Sequence, residues 1–185
     1  MRLQFPNRDR FRIVNLKELV KKDYLNIMFE SINGKEVGKS FQKLKIWKGI
    51  KIGDSYGNKT VLDYDGNPLF AELYALRVFK EKGFNGVWAD TFRKTFRTEL
   101  PEKKEPKVIL PEFVQCELDK INPDGKLSGT WDLILWKNKE LKFVELKRKG
   151  KDKIRQTQIN FLERALLIGI PIENFEIFEW TKKEK

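Results

Sequence analysis

The apolar residues of this chain change period several times, and each change marks an element. Asn15, with Glu18 three residues later, makes a capping-box pattern. Leu16, Leu19, Val20, Tyr24, Ile27 and Met28 follow at helical spacing as far as Gly34. Residues 41–52 instead alternate apolar and basic side chains, the pattern of a strand pair. Turn-forming residues dominate 54–58 and 63–68. Pro68 opens a second helical period, with Leu69, Leu73, Leu76 and Phe79 as its inner stripe and Gly83 as its end. A core strand is predicted over residues 87–89 and an exposed loop over 99–110. Pro111 starts a further helix through Phe113, Val114, Leu118 and Ile121.

Residues 129–147, GTWDLILWKNKELKFVELK, read as a β-hairpin. Leu133 to Trp136 form one apolar run, and Leu141, Phe143, Val144 and Leu146 belong to the next. Asn138 lies in the polar break between them and favours a turn. After the hairpin, Asp152 caps a helix that carries Gln158, with Ile154, Phe161, Leu162, Ala165 and Leu166 facing inward. Gly169 and Pro171 end it, and residues 175–180 make a last strand. This order predicts an α/β fold, a central mixed β-sheet flanked by helices on both faces.

The hairpin places chemistry as well as structure. A two-residue loop at Asn138 and Lys139, or a four-residue loop over 137–140, gives one register, with Asp132 opposite Glu145. Paired residues share a face, with Cβ atoms about 4.5–5.5 Å apart. Lys147 points the same way. Two carboxylates so close stay ionised only beside a cation; otherwise one takes up a proton. Oxygen ligands at this separation suit Mg²⁺ or Mn²⁺. The pair is therefore a candidate for metal-assisted phosphodiester hydrolysis. The competing reading is an acidic cross-strand pair on a solvated sheet face. Glu-x-Lys alone decides nothing: with 17 Glu and 28 Lys, composition predicts about 2.6 matches by chance. The chain has four, beginning at Glu102, Glu105, Glu140 and Glu145. Only Glu145 also ends an apolar strand, faces an Asp and precedes a helix. Glu72 borders the inner stripe of its helix, where a carboxylate is costly unless it is paired, bound to a cation or reaches water.

Asp132, then Glu145-Leu146-Lys147, then Asp152-x-Ile154-x3-Gln158-x2-Phe161-Leu162 resembles the PD-(D/E)XK nuclease superfamily. The pattern is most similar to the virus-type replication–repair nuclease (VRR-NUC) family, in which a Glu-x-Lys strand precedes Asp-x-Leu-x3-Gln and an aromatic-rich helix. The resemblance spans about residues 68–180, its specific motifs residues 129–162. Trp131 departs from it, standing where the family commonly has Pro. The resemblance implies a restriction-endonuclease-like core and a divalent-metal-dependent nuclease. It implies Mg²⁺ (or Mn²⁺) held by Asp132, Glu145 and the Leu146 carbonyl, with Glu72 in direct or water-mediated contact. It gives Lys147 the task of orienting the attacking hydroxide and neutralising the phosphate. Gln158 would orient that lysine or the water, against the alternative of a surface glutamine. The implied substrate is DNA, with branched forms such as junctions or flaps favoured, and the implied assembly a homodimer. Two rivals stand beside it: a restriction-type endonuclease on the same core, and a catalytically inactive nucleic-acid-binding module.

Composition narrows this further. A length of 185 residues suits one domain with additions. A formal charge of +11 points to a polyanionic partner, unless the lysine-rich surface is only a compositional bias. Residues 1–60 hold 14 Lys/Arg against 6 Asp/Glu. The chain is therefore expected to divide into a basic region of unassigned fold, residues 1–60, and a nuclease-like domain, residues 61–185. Trp47 between Lys45 and Lys48 is either a base-stacking group or part of a half-buried strand. Phe92, Arg93, Lys94, Phe96 and Arg97 read as a basic-aromatic patch facing phosphates or as an amphipathic strand. The absence of His excludes a Ser-His-Asp triad and a histidine base, and with Cys116 as the only Cys it argues against a His/Cys zinc site. A lone Cys fits a reducing compartment. No apolar run approaches the roughly 18 residues of a membrane span, and residues 1–11 lack a signal-peptide core. A cytoplasmic (intracellular) protein without membrane contact is expected.

Overall fold

The computed structural model describes residues 36–53, 56, 58–101 and 108–183. The helix expected between Asn15 and Gly34, and residues 102–107 of the expected loop, lie outside them. Along the chain run β1 (Gly38–Leu44), β2 (Leu62–Tyr64), β3 (Asn67–Leu69), α1 (Ala71–Glu81), β4 (Asn85–Asp90), β5 (Thr95–Arg97), α2 (Glu112–Ile121), β6 (Leu133–Lys137), β7 (Glu140–Arg148), α3 (Gln156–Leu167) and β8 (Phe175–Lys182). Six strands form one mixed sheet in the order β1-β8-β7-β6-β4-β5, and β2 with β3 makes a small separate ribbon. The described residues thus form an α/β fold with a six-stranded mixed sheet and three α-helices.

Strand β7 sits near the middle of the sheet and is buried on both faces. Its Val144 and Leu146 pack with Leu73, Leu76 and Phe79 of α1. Its Leu141 and Phe143 pack with Val114 and Leu118 of α2 and Phe161 and Leu162 of α3. One helix therefore covers one face and two cover the other. The β6–β7 hairpin turns on Asn138 and Lys139, both at positive φ (49° and 66°). That is the two-residue turn whose twist suits antiparallel strands. Lys137 pairs with Glu140 and Leu133 with Val144. One further step in this register sets Asp132 against Glu145, as the sequence predicts. The chain then passes through α3 and returns as β8, parallel to β7, the connection a parallel pair needs.

Three expectations are corrected. Pro68 does not begin α1; it lies in β3 opposite Asp63, on a ribbon edge where a missing N–H is tolerated, and the helix starts at Ala71. Asp152 does not cap α3. Its Oδ2 accepts the Arg148 N–H at 2.8 Å and closes the turn after β7, while Arg155 is the N-cap. Residues 41–52 do not pair with each other. β1 pairs in parallel with β8, and the chain beyond it meets β2 through Ile46 and Leu62. Part of the basic region, residues 38–44, is thus an edge strand of the main sheet. No helix among the described residues is long and apolar enough to cross a membrane.

Candidate functional site

The site forms where β6 begins and β7 ends, beneath the first turn of α3. Gly129 allows this approach. It has φ +80°, and a Cβ there would lie 2.4 Å from the Thr157 carbonyl oxygen. Only glycine meets both demands without strain. Two residues on, Trp131 is fully buried, stacks edge-on against Phe175 and donates its indole N–H to the Gln158 carbonyl at 3.1 Å. The start of β6 is thereby fastened to the helix that carries Gln158.

Asp132, Glu145, Lys147 and Gln158 come together. Asp132 Oδ2 accepts the Leu146 N–H at 2.9 Å, and the Asp132 N–H donates to Glu145 Oε2 at 3.3 Å. Lys147 Nζ donates to Glu145 Oε1 at 2.6 Å and to Gln158 Oε1 at 3.2 Å. Gln158 Nε2 also donates to Glu145 Oε1, at 2.6 Å. Gln158 Oε1 accepts the Arg155 N–H at 2.9 Å, so one side chain closes the helix end and steadies the lysine. Glu145 and Lys147 are both buried, with 1% and 6% of their surface exposed. Glu145 is therefore not on a solvated sheet face, while Asp132 and Gln158 are half-buried.

Electrostatics follow from that burial. Glu145 has its pKa raised well above the ordinary carboxylate value, first by burial and then by Asp132, against the pull of Lys147. Asp132 is raised too, by burial and then by the charge of Glu72, opposed by the Leu146 N–H, Lys147 and Lys59. Without a cation, the pair is therefore biased towards holding a proton.

Glu72 reaches the region from the opposite layer. It lies in the first turn of α1, buried, with one oxygen paired to Lys59 and Oε2 buried without a partner. It acts on Asp132 as a charge rather than as a hydrogen-bond partner. Among the described residues, no three His, Cys, Asp or Glu side chains converge as a group able to enclose a metal. The set that could hold one is Asp132 and Glu145 with the Leu146 carbonyl. All these donors are oxygens, which fits a hard divalent ion.

Several residues were not foreseen. Lys59 follows a turn-rich stretch of sequence and lies outside any periodic apolar pattern, so no local pattern marks it. Its Nζ sits 4.7 Å from the Trp88 ring centre and pairs with Glu72. Asp90, at the end of β4, is buried and accepts from Arg97 Nε at 2.9 Å and Tyr56 Oη at 2.5 Å. Burial works to raise its pKa, but the bonds from Tyr56, the Arg93 N–H and Arg97 hold it below the usual range. Arg97 is therefore a buried partner, not part of an exposed basic patch. Phe92, Arg93 and Lys94 remain exposed at the β4–β5 turn, with Arg93 Cζ 4.3 Å from the Tyr56 ring centre. Glu179 stands opposite Lys147 in the β7–β8 register, buried, with Oε1 unpartnered. Comparison with protein families and with curated proteins finds no match to this chain.

Proposed function

We propose that the protein is a divalent-metal-dependent nuclease that hydrolyses DNA phosphodiester bonds on a restriction-endonuclease-like core. The observation that carries this reading is the meeting of Asp132, Glu145 and Lys147 on one sheet face, with Gln158 clamping the lysine to the second acid. A binding module has no use for two acids facing a polyanion, since each repels phosphate.

Asp132 and Glu145 would hold Mg²⁺ or Mn²⁺, with Leu146 adding its carbonyl and Glu72 a more distant charge. The ion, when bound, supplies Lewis acidity at the phosphoryl oxygen and a more acidic water. Lys147, held by Glu145 and Gln158, would orient a water for attack and offset charge building on the phosphate. Gln158 fixes the lysine's position through its own bond to the helix end. The exposed Phe92, Arg93 and Lys94 offer an aromatic face and cations for a DNA backbone approaching the site. Preference for branched DNA, and action as a homodimer, belong to the same proposal through the motif resemblance.

The test is cleavage of duplex, single-stranded, flap and four-way-junction DNA by the purified chain with Mg²⁺, Mn²⁺ or EDTA. Metal-dependent cutting, lost in Asp132→Asn, supports the reading. DNA binding with a steep salt dependence and no metal effect would overturn it.

A further inference from the structure

The turn between β4 and β5 rests on more buried polar structure than a plain connection needs. Asp90, where β4 ends, is 1% exposed and accepts three hydrogen bonds: from the Arg93 N–H at 3.0 Å, Arg97 Nε at 2.9 Å and Tyr56 Oη at 2.5 Å. A buried ion pair is a poor source of net stability. What this one does is hold the turn in one shape, with Lys94 at φ 53°. The shape leaves the Phe92 ring 81% exposed. That ring meets Tyr56 edge-on, 6.1 Å between centres, and Tyr56 in turn packs on Phe70 and Trp88 of the core at 5.6 and 5.7 Å. Arg93 Cζ stands 4.3 Å from the same Tyr56 ring centre. The turn also lies close to the acidic site. The Ala89 N–H donates to the Asp132 carbonyl at 2.8 Å, and Phe92 follows three residues later, at most about 11 Å of chain away.

We propose, on the nuclease reading above, that Phe92 is a stacking platform for an unpaired base, so that the DNA strand beside the acidic site is single-stranded. A base inside a duplex is covered on both faces by its neighbours and offers nothing to a ring. An unpaired base offers a whole face, whatever its identity. Arg93 and Lys94 flank the ring and suit the phosphates of the same strand. A ring between cations is how proteins hold single strands without reading their sequence. A protein partner would call for an apolar patch, and the turn gives Phe92 only exposed Thr91, Arg93 and Lys94 as neighbours along the chain. Phe92 thus selects the substrate by its pairing state, without touching the reacting phosphate.

The experiment is fluorescence-anisotropy titration of labelled DNA with the full chain, at one salt concentration and in EDTA. Two DNAs are compared: a blunt duplex, and the same duplex with a short single-stranded extension. Wild type should prefer the extended DNA. Phe92→Ala should bind it about ten-fold more weakly, the scale of one base on one ring. Its affinity for the blunt duplex should stay within about two-fold, since the cations that meet phosphate remain. Phe92→Trp should bind like wild type, and Phe92→Leu, apolar but without a ring, should lose as much as Phe92→Ala. An abasic nucleotide at one position of the extension should weaken wild type to the same extent and cost Phe92→Ala nothing further. Phe92 is exposed, so these variants should fold, which their melting temperatures check. The proposal is overturned by equal losses on both DNAs, by full binding in Phe92→Leu, or by indifference to every abasic position. It is also overturned if Phe92→Ala leaves both affinities unchanged but abolishes self-association in sedimentation, which would make the turn a contact between copies. The nuclease reading is judged separately, by metal-dependent cutting that Asp132→Asn removes. If that cutting is found while the Phe92 variants bind as wild type, only the Phe92 inference falls. If wild type binds neither DNA and cuts none, both fall.

Discussion

The Asp132 N–H donates to the Glu145 carboxylate at 3.3 Å, while the Asp132 carboxylate accepts the N–H of Leu146, the next residue along, at 2.9 Å. Each acid is braced by the backbone of the other's strand, so the two carboxylates cannot drift apart to escape repulsion. Asp132→Asn keeps an acceptor for Leu146 and removes one charge. Metal-free Asp132→Asn should therefore melt about 2–4 °C above metal-free wild type, the shift of roughly 1 kcal/mol in a chain of this size. Mn²⁺ should raise the wild-type melting temperature and leave the variant's unchanged. Glu140→Gln, exposed at the start of β7, is the control and should alter neither. A less stable metal-free variant would show that the acids do not repel.

The raised Glu145 and Asp132 pKa values make metal-free stability depend on pH. An acid raised on folding binds more protons folded than unfolded. Its stabilising effect is full below the unfolded value, 4.5 for Glu145, and is lost as pH rises through the folded value. Unfolding by urea in EDTA should give falling stability from that pH towards neutrality. Glu145→Gln should flatten that slope. A slope that survives in Glu145→Gln would assign it to other groups.

Lys147→Ala should abolish cleavage while DNA affinity stays within a few-fold, because its charge acts mainly as phosphate charge builds in the transition state. Its loss also removes the cation that holds down the Glu145 pKa. Metal binding in this variant should therefore need a higher pH than in wild type. Normal cleavage by Lys147→Ala would remove it from the site's chemistry.

Gln158 joins two jobs, and two variants separate them. Gln158→Ala leaves the Arg155 N–H without its side-chain acceptor and Lys147 without one partner. It should cost about 1 kcal/mol of stability, the usual scale of a helix-end bond, and should reduce cleavage at least ten-fold, since a misplaced catalytic group is costly. Gln158→Glu restores the acceptor for both N–H groups but turns a third acid towards Glu145. It should keep the helix end and destabilise the metal-free site further, read as a lower melting temperature in EDTA that Mn²⁺ recovers.

The hairpin and its two acids were legible because a period-two pattern and a short turn leave few registers. Asn138 between two apolar runs settled which face Asp132 shares. Lys147 and Gln158 followed from the same strand and from the helix after it. The boundaries were less legible. Pro68 signals a helix start equally well as a ribbon edge, and Asp152 is as good at closing a turn as at capping a helix. Arg97 read as a surface cation because its buried partner, Asp90, is known only once β4 and β5 are paired. Lys59 had no periodic neighbours at all, and its place beside Glu72 depends on how β2, β3 and α1 fold back over the sheet.

The bond from the Arg155 N–H to Gln158 Oε1 also ties the site to local unfolding. The ends of a helix open more readily than its middle, and they do so without the whole protein unfolding. Here the first turn of α3 cannot fray without releasing Gln158 from Arg155, Lys147 and Glu145 together. Hydrogen exchange at the Arg155 amide therefore measures how often Lys147 is left without its clamp. A cation that draws Glu145 and its partners together should slow that one exchange rate. The amides at the far end of the same helix, around Leu166 and Leu167, should keep their own pace.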